Sequence, residues 1–402
     1  MKIKNADEWV YYIYRIIKGC CFSLLMHLCC IVPVKPNKIV VCCHKGSRGY
    51  GCSPKYIVEN LLQDGNEYEI IWLVKDMNKD FPKGIKKVRY TAFTSAYHLA
   101  TANVWIDNDK KELGTIKRKG QFYIHTWHGP VGFKTCGALR GSSWSKLGQR
   151  ISLKDSAMTD MYLSNSDWCS RTHREAFLYT DEVIYKTGMP RTDILMRADE
   201  GNRERIRIRH HLPQDTKIAI YAPTFRGGIQ KKKRRYHMMQ TEMDLNELRK
   251  VLQERFGGEW RIMIRLHPLL AETVKEYPLA KKYPNVADIS QQDDLYEYIA
   301  AADVLISDYS SCAFDASYKR MPVFLYAEDY HAFETERAFY WKREELPFSI
   351  AESFAQLRRD IMNFDEAEYQ KGLDTFFERI GLCEKGDASQ KVGDAIRRHI
   401  YE

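Results

Sequence analysis

The chain has 402 residues and a formal net charge of +9, with 44% hydrophobic and 29% charged residues. That length exceeds one ordinary core and predicts two domains, while the composition excludes an intrinsically disordered chain. The positive charge favours acidic partners such as phosphorylated substrates or anionic lipid. Nucleic acid is not expected as a partner, because the sequence contains no zinc-finger spacing, recognition-helix signature or aromatic RNA-binding motif.

An almost wholly apolar stretch runs from Trp9 to Val34 and is interrupted by a few basic residues. Its uncharged part is shorter than the roughly 18–20 residues needed to span a bilayer, and no clear signal-peptide cleavage site follows it. We therefore expect residues 1–36 to form a membrane-interface helix, with Trp9 at headgroup level and Arg15 and Lys18 facing anionic lipid. The alternatives are an ordinary core or dimer helix and a spanning anchor.

The sequence contains eleven cysteines, seven of them before residue 53, and no C-x-x-C pair. An odd number that includes adjacent doublets matches neither a disulfide framework nor zinc-site spacing. This usage favours the reduced cytoplasm as the compartment.

Apolar runs of strand length alternate with helical patterns along the rest of the chain, which predicts βαβ units and parallel sheets. The predicted strands are Lys38–Cys43, Tyr68–Val74, Asn103–Asp107, Gln121–Trp127, Met161–Ser164, Glu182–Thr187, Lys217–Ala222, Trp260–Leu266, Val286–Ile289, Val304–Ser307 and Pro322–Tyr326. A polar, basic stretch, Gly188–His211, separates the two halves. The sequence therefore predicts an α/β protein in which doubly wound Rossmann-type domains at residues 37–205 and 206–402, the second with a helical tail, face each other across a cleft.

Polar segments follow three of the predicted strands: Trp127-His128-Gly129, Arg265-Leu266-His267-Pro268 and Ser307-Asp308-Tyr309-Ser310-Ser311. Ligands in doubly wound sheets bind outside the carboxyl ends of strands, so these segments can converge. The N–H groups and two hydroxyls at a helix start suit an anion such as a diphosphate. Arg265 and His267 alternate on one strand end and suit the same anion. The alternatives are helix caps for the two serines and a carboxylate partner for the arginine.

His128 is the expected general base, because the unperturbed pKa of histidine, near ~6.5, suits proton transfer at neutral pH. The alternative is a histidine that merely caps a strand. Thr224 and Arg226 leave another predicted strand as a hydroxyl and guanidinium pair, and we expect the arginine to stabilise charge on a leaving phosphate. Asp308 either positions these donors or caps its own turn.

The basic run Lys231-Lys232-Lys233-Arg234-Arg235 is either a mobile solvated loop or a contact to a phosphate-rich acceptor or anionic membrane. Asp107-Asn108-Asp109 has the pattern of a D-x-D metal clip, but lone matches are common in turns, so no metal site is assigned. The sequence has neither a Walker loop nor Gly-x-Gly-x-x-Gly, which disfavours a tightly bound cofactor. A requirement for a divalent metal stays open.

Five motifs in order give the chain a resemblance to a known family. They are Trp127-His128-Gly129, Gly188-Met189-Pro190-Arg191-Thr192-Asp193, Ala222-Pro223-Thr224-Phe225-Arg226, Arg265-Leu266-His267-Pro268 and Ser307-Asp308-Tyr309-Ser310-Ser311 with Phe314-Asp315. Over about Lys38 to Phe348 the chain resembles the CDP-glycerol glycerophosphotransferase family of teichoic acid and capsule enzymes. Pro130-Val131-Gly132-Phe133-Lys134 departs from the family's usual Thr-Pro-Leu-Lys beside the base.

The resemblance implies a bacterial GT-B-like enzyme on the cytoplasmic face of the membrane. The N-terminal domain would present a lipid-linked glycan or polyol-phosphate acceptor, and the C-terminal domain would hold the CDP-alditol donor. His128 matches the family's proposed base, and Arg226, His267, Ser310 and Ser311 match groups around the donor diphosphate. A GT-B glycosyltransferase using a nucleotide sugar and a non-catalytic membrane-associated assembly factor are the alternatives.

Overall fold

The computed structural model describes residues 6–197, 200–224, 226–230, 233–237, 243–266, 283, 285–332 and 338–402. Its strands are β1 Lys35–Cys42, β2 Glu69–Val74, β3 Ile85–Arg89, β4 Ala102–Asp107, β5 Phe122–His125, β6 Met161–Ser164, β7 Ile184–Lys186, β8 Lys217–Ala222, β9 Arg226–Gln230, β10 Lys233–His237, β11 Trp260–Ile264, β12 Val286–Asp288, β13 Val304–Ser307, β14 Val323–Tyr326 and β15 Ser349–Ala351.

The described α-helices are α1 Ala6–Cys29, α2 Cys52–Leu62, α3 Ala92–Thr101, α4 Lys146–Ser156, α5 Asp167–Phe177, α6 Asp193–Met196, α7 Glu200–Arg209, α8 Leu245–Phe256, α9 Tyr296–Ala301, α10 Cys312–Ser317, α11 Phe354–Met362, α12 Glu366–Ile380 and α13 Ala388–Tyr401. They fall into two compact units. The first contains the residues up to Pro130, Cys136–Asp193 and Cys383–Glu402, and the second contains Val131–Thr135 and Ile194–Leu382.

The first unit is built on a seven-stranded parallel sheet in the order β3-β2-β1-β4-β5-β6-β7. Successive side chains of a strand point to opposite faces, and β1 shows both faces buried. Ile39 and Val41 pack with residues of α2 and α13 on one side, while Val40 and Cys42 pack with residues of α1 and α3 on the other. Helices on both faces leave the carboxyl ends of the strands as the place for ligands.

The N-terminal helix α1 is divided between core and surface. Met26 and Cys29, near its end, are buried against the sheet, as the core-helix alternative requires for this half. Its beginning exposes large apolar side chains, with Trp9 51% and Ile17 58% exposed. Among the described residues, Trp9–Cys29 is the segment that is long and apolar enough to cross a membrane. Because the first half of α1 is exposed, its location at a membrane interface stays a prediction.

The second unit contains a six-stranded parallel sheet in the order β12-β11-β8-β13-β14-β15. Helices α8 and α11 cover one face and bury Leu248, Val251 and Leu357 against its apolar side chains. A separate antiparallel pair, β9 and β10, follows β8. The predicted α/β class, with two Rossmann-type parallel sheets and an apolar N-terminal helix, is confirmed.

Three details differ from the predictions. Lys233, Arg234 and Arg235 of the expected basic loop lie in strand β10, which pairs with β9, because the backbone hydrogen bonds of an antiparallel ladder do not depend on the charge of the side chains. The chain leaves β5 after His125 rather than at Trp127, whose φ of 55° ends the extended conformation. The predicted domain limits stay a prediction, but α13, which was assigned to the second domain, packs in the first unit through Val392 and Ile396.

We expect the Gly114→Ala variant to loosen α1 from the sheet. Gly114 has a φ of +87°, and a Cβ there would lie 1.9 Å from the backbone oxygen of Gly19 in α1. Gly120 has a similar φ of +85° with nothing within 4 Å, so Gly120→Ala supplies a control with the same backbone strain. Thermal unfolding should show Gly114→Ala less stable than this control by about 1–3 kcal/mol, the usual cost of overpacking. Equal melting temperatures would contradict the close contact.

Candidate functional site

His128 lies in the first unit just after β5 and is half-buried. Its ring nitrogen Nδ1 is 2.9 Å from the backbone oxygen of Asn108, which follows β4. A carbonyl can only accept, so Nδ1 carries the hydrogen in this contact. The neutral ring therefore keeps its lone pair on Nε2, and Nε2 is the atom that can take a proton from a substrate.

Two further side chains accompany His128 at the carboxyl edge of the sheet. The ring of His44, which follows β1, has its centroid 5.1 Å from that of His128, and its Nδ1 lies 3.9 Å from Oδ2 of Asp109. The strands β1, β4 and β5 are neighbours in the sheet, so the residues that follow them meet. His44 lies in no motif recognised in the sequence. Asp109 belongs to the D-x-D segment Asp107-Asn108-Asp109, for which no metal site was predicted.

Burial controls the protonation of both imidazoles. It lowers the pKa of His128 to about 4, while the Asp109 carboxylate acts to raise that pKa and the neighbouring His44 acts to lower it. Burial also lowers the pKa of His44, which Asp109 opposes and the guanidinium groups of Arg48 and Arg191 reinforce. Both rings are consequently neutral near pH 7, so the lone pair on Nε2 of His128 is free, but the lowered pKa makes this imidazole a weaker base than an unperturbed histidine.

His44, Asp109 and His128 could also hold a metal ion, because one ligand atom from each lies within 4.8 Å of the others. Two imidazoles and a carboxylate are a common set of protein ligands for zinc. However, Arg48 and Arg191 lie near enough to lower the pKa of His44. The same positive charges disfavour a cation, so the cluster suits proton transfer better than metal binding.

His125, the other histidine of this segment, makes contacts inside the core of the unit. It is fully buried, its Nδ1 lies 2.7 Å from the hydroxyl of Tyr179 and 3.2 Å from Oδ2 of Asp155. His125 and His128 therefore lie in different surroundings.

In the second unit, Asp308 connects the ends of the neighbouring strands β8 and β13. Its carboxylate accepts hydrogen bonds from the backbone N–H and the hydroxyl of Thr224, both at 2.9 Å, and from the N–H of Tyr309 at 2.7 Å. Asp308 and Thr224 are buried. These contacts agree with a positioning role for Asp308, because its oxygens already accept bonds from the protein.

Ser310 and Ser311 are half-buried at the start of α10. The hydroxyl oxygen of Ser310 accepts from the N–H of Cys312 at 3.4 Å, and the Ser311 side chain makes no capping hydrogen bond. The helix has six residues, Cys312–Ser317. A short helix has a weak dipole, so any anion here would depend on hydroxyl and backbone N–H donors.

Arg265 follows β11 and is buried. Its Nη1 donates to the backbone oxygens of Ile289 at 2.6 Å and Gln292 at 2.5 Å. These bonds tether the loop after β12. A contact between Arg265 and a phosphate stays a prediction.

Several of the predicted site residues lie where the structure describes the backbone alone or lie outside the described residues. Arg226 begins β9 and Lys233, Arg234 and Arg235 lie in β10, and for these residues the backbone alone is described. His267, Lys231 and Lys232 lie outside the described residues. At the N-terminus, Arg15 bonds to Glu112 and to the hydroxyl of Tyr11, whereas Trp9 is exposed.

Comparison with known proteins identifies relatives over nearly the whole chain. Residues 24–398 match the family model described as CDP-Glycerol:Poly(glycerophosphate) glycerophosphotransferase. The teichoic acid poly(glycerol phosphate) polymerase of Staphylococcus epidermidis is 30% identical over 388 residues, covering 92% of this chain and 52% of the relative. The chain thus spans about half the length of that polymerase.

A relative of similar size and a solved structure extend the likeness. The teichoic acid poly(glycerol phosphate) polymerase of Bacillus spizizenii is 26% identical over 398 residues, with 95% of this chain and 98% of the relative covered. A histidine variant of the wall teichoic acid polymerase TagF, soaked with CDPG, has a TM-score of 0.80 and 27% identity, covering 97% of this chain and 98% of that one.

We expect two substitutions beside His128 to shift its titration in opposite directions. Asp109→Asn removes a charge that favours the imidazolium and should lower the pKa of His128, whereas His44→Gln removes a neighbour that lowers it and should raise it. A pH titration of the ¹³C-labelled histidine rings by NMR measures both. Shifts of the same sign in the two variants would rule out this electrostatic arrangement.

Proposed function

The chain belongs to the CDP-glycerol:poly(glycerophosphate) glycerophosphotransferase family, and we propose that it transfers glycerol phosphate, or a related alditol phosphate, from CDP-glycerol. The acceptor is a hydroxyl of a lipid-linked glycan or a growing teichoic acid or capsule polymer, and CMP is released. The match over residues 24–398 supports this proposal. The single structural observation that carries it is the neutral His128 with its lone pair on Nε2.

The reaction begins when Nε2 of His128 takes the proton of the acceptor hydroxyl. The acceptor oxygen forms a bond to the β-phosphorus of CDP-glycerol, and the bond from that phosphorus to the bridging oxygen breaks. The electron pair leaves with CMP. A base of this kind contributes about 10²–10⁴-fold to the rate, and the remainder comes from positioning and charge stabilisation, as in other phosphoryl transfers.

Groups of the second unit would hold the donor diphosphate. Ser310 and Ser311 contribute hydroxyls, and Arg226 and His267 contribute positive charge or hydrogen-bond donors. Asp308 supports them by fixing Thr224 at 2.9 Å.

The proposed location is the cytoplasmic face of the bacterial cell membrane. The exposed apolar side chains at the beginning of α1, including Trp9 and Ile17, support contact with lipid. Lys233, Arg234 and Arg235 add positive charge that an anionic membrane or a polymer phosphate would attract.

A donor panel tests the reaction class. The purified protein, a polymer or lipid-linked acceptor and one labelled donor at a time should give transfer from CDP-glycerol and none from UDP- or GDP-sugars. The increase in product mass identifies glycerol phosphate, ribitol phosphate or hexose. A hexose increment would assign a glycosyltransferase instead, and the absence of any transfer or nucleotide-induced rise in melting temperature would favour an assembly factor.

The His128→Ala variant should lower turnover at least ~10²-fold, because it removes the proposed base. The affinity for CDP-glycerol should stay near that of the unchanged protein, since His128 is proposed to act on the acceptor. His331, whose side chain is 80% exposed, supplies the control His331→Ala with expected normal turnover. Single-turnover transfer and calorimetric donor binding measure the two quantities, and near-normal turnover in His128→Ala would remove this residue from the mechanism.

A further inference from the structure

A cavity of about 270 Å³ lies in the first unit between α1 and the carboxyl edge of the sheet. Phe22 and Leu25 of α1 form one wall, and Leu73, Leu99 and Leu113 contribute apolar surface from the body of the unit. A single water needs roughly 10–15 Å³ of such space, so the cavity has room for a phosphate-sized group and several carbon atoms.

Positive charge surrounds this apolar space. Five cationic side chains line it, namely Arg15, Lys18, Lys45, Lys110 and Lys111, together with two carboxylates, Asp107 and Glu112. The lining therefore carries a net charge of +3, from five positive and two negative groups. A space with apolar walls and excess positive charge suits an amphiphile with an anionic head.

The carboxylates do not neutralise all of the lysines. Glu112 pairs with Arg15 and with Lys45, the latter at 3.0 Å, and Asp107 pairs with Lys111 at 2.8 Å. Lys18 is exposed and forms no direct salt bridge or hydrogen bond among the described residues; it interacts at longer range with the Glu112 carboxylate, whose pKa it helps to lower. Its ammonium group is thus available to an anion at the α1 wall.

A buried hydroxyl in the same lining also has unused hydrogen-bonding capacity. Ser95, on α3, is 3% exposed, and its Oγ has no hydrogen-bond partner within the described residues. Buried polar atoms are nearly always paired. This hydroxyl is an observation independent of the charges, and a phosphate oxygen in the cavity would satisfy it.

The cavity and the proposed base share two segments of the chain. His44 and Asp109 lie beside His128, while Lys45 and Lys110, which follow them directly, line the cavity. The cavity and the base site are thus lined by adjacent residues of the same two segments. On its other side the cavity is bounded by α1, whose beginning exposes apolar side chains.

We propose that this cavity binds the phosphate and the first apolar carbons of a membrane amphiphile, and so holds the lipid end of the acceptor near His128. The identification of the amphiphile as the acceptor rests on the proposed function, whereas its binding does not. Lys18 and Ser95 are the groups that bind the anionic head, and the leucines and Phe22 contact the chain.

Calorimetry with the full-length protein tests the binding without any transfer reaction. Farnesyl phosphate should bind, and farnesol and inorganic phosphate should each bind at least ~10-fold more weakly, because each provides only one half of the recognition. Lys18→Glu should weaken farnesyl phosphate binding at least ~10-fold. Lys119, which is exposed and does not line the cavity, supplies the control Lys119→Glu with the same charge change and no expected effect.

Ser95→Val keeps the side chain small and removes the hydroxyl, so it should weaken farnesyl phosphate binding while leaving farnesol binding unchanged. Unweakened binding of farnesyl phosphate to Lys18→Glu and Ser95→Val, or equal binding of farnesol, would overturn the proposal. Binding to vesicles with and without phosphatidylglycerol distinguishes contact of Lys18 with a membrane surface from binding in the cavity. A Lys18→Glu variant that loses vesicle binding but keeps farnesyl phosphate binding would show membrane contact and no cavity site.

Transfer assays then separate this proposal from the proposed function. Lys18→Glu should raise the KM for a lipid-linked acceptor and leave turnover with a water-soluble glycerol phosphate oligomer unchanged. Failure of the unchanged protein to use CDP-glycerol would refute the transfer reaction alone. Equal loss with both acceptors in Lys18→Glu would refute the cavity's role in holding the lipid.

Discussion

The position of Asn108 determines which nitrogen of His128 carries the hydrogen. Its backbone oxygen accepts from Nδ1 of that ring at 2.9 Å, and its side-chain oxygen accepts from the backbone N–H of His44 at 2.7 Å. Asn108 is fully buried, so water does not compete for these bonds. The loops after β1, β4 and β5 are thus fixed to one another, and the proton-accepting Nε2 depends on that connection. Burial then keeps the ring neutral, and Asp109 limits how far its pKa falls.

In the second unit, buried side chains and accessible side chains have different roles. Asp308 uses its carboxylate to join the ends of β8 and β13 through Thr224, and Arg265 uses Nη1 to hold the loop after β12. Both side chains are buried, and the hydrogen bonds that they form support the loops at the carboxyl edge of the sheet. The hydroxyls of Ser310 and Ser311 are more accessible. An electrostatic site of this kind works because its donors are already oriented before the anion arrives.

Strands with continuous apolar runs could be predicted from the sequence, as Val304–Ser307 and Lys217–Ala222 show with unchanged limits. The edge strand β3, Ile85–Arg89, could not, because it is partly exposed and rich in basic residues. His128 is the histidine of a recognisable Trp-His-Gly motif, whereas the role of His44 emerges only from the neighbour order of β1, β4 and β5. The cavity behind α1 depends likewise on contacts between segments far apart in sequence, such as Gly19 and Gly114.

The chain returns to its first unit at the end. Val392 and Ile396 of α13 are fully buried in the same apolar cluster as Ile39 and Val41 of β1, and the second unit is inserted between these segments. During synthesis, therefore, the first sheet cannot complete its core until residues 388–401 have left the ribosome. Until then α2 covers this face of β1 and β2 without α13, and the remaining apolar surface stays exposed for the time needed to translate the whole second unit. The core of the first sheet thus depends on residues that follow the whole second unit along the chain.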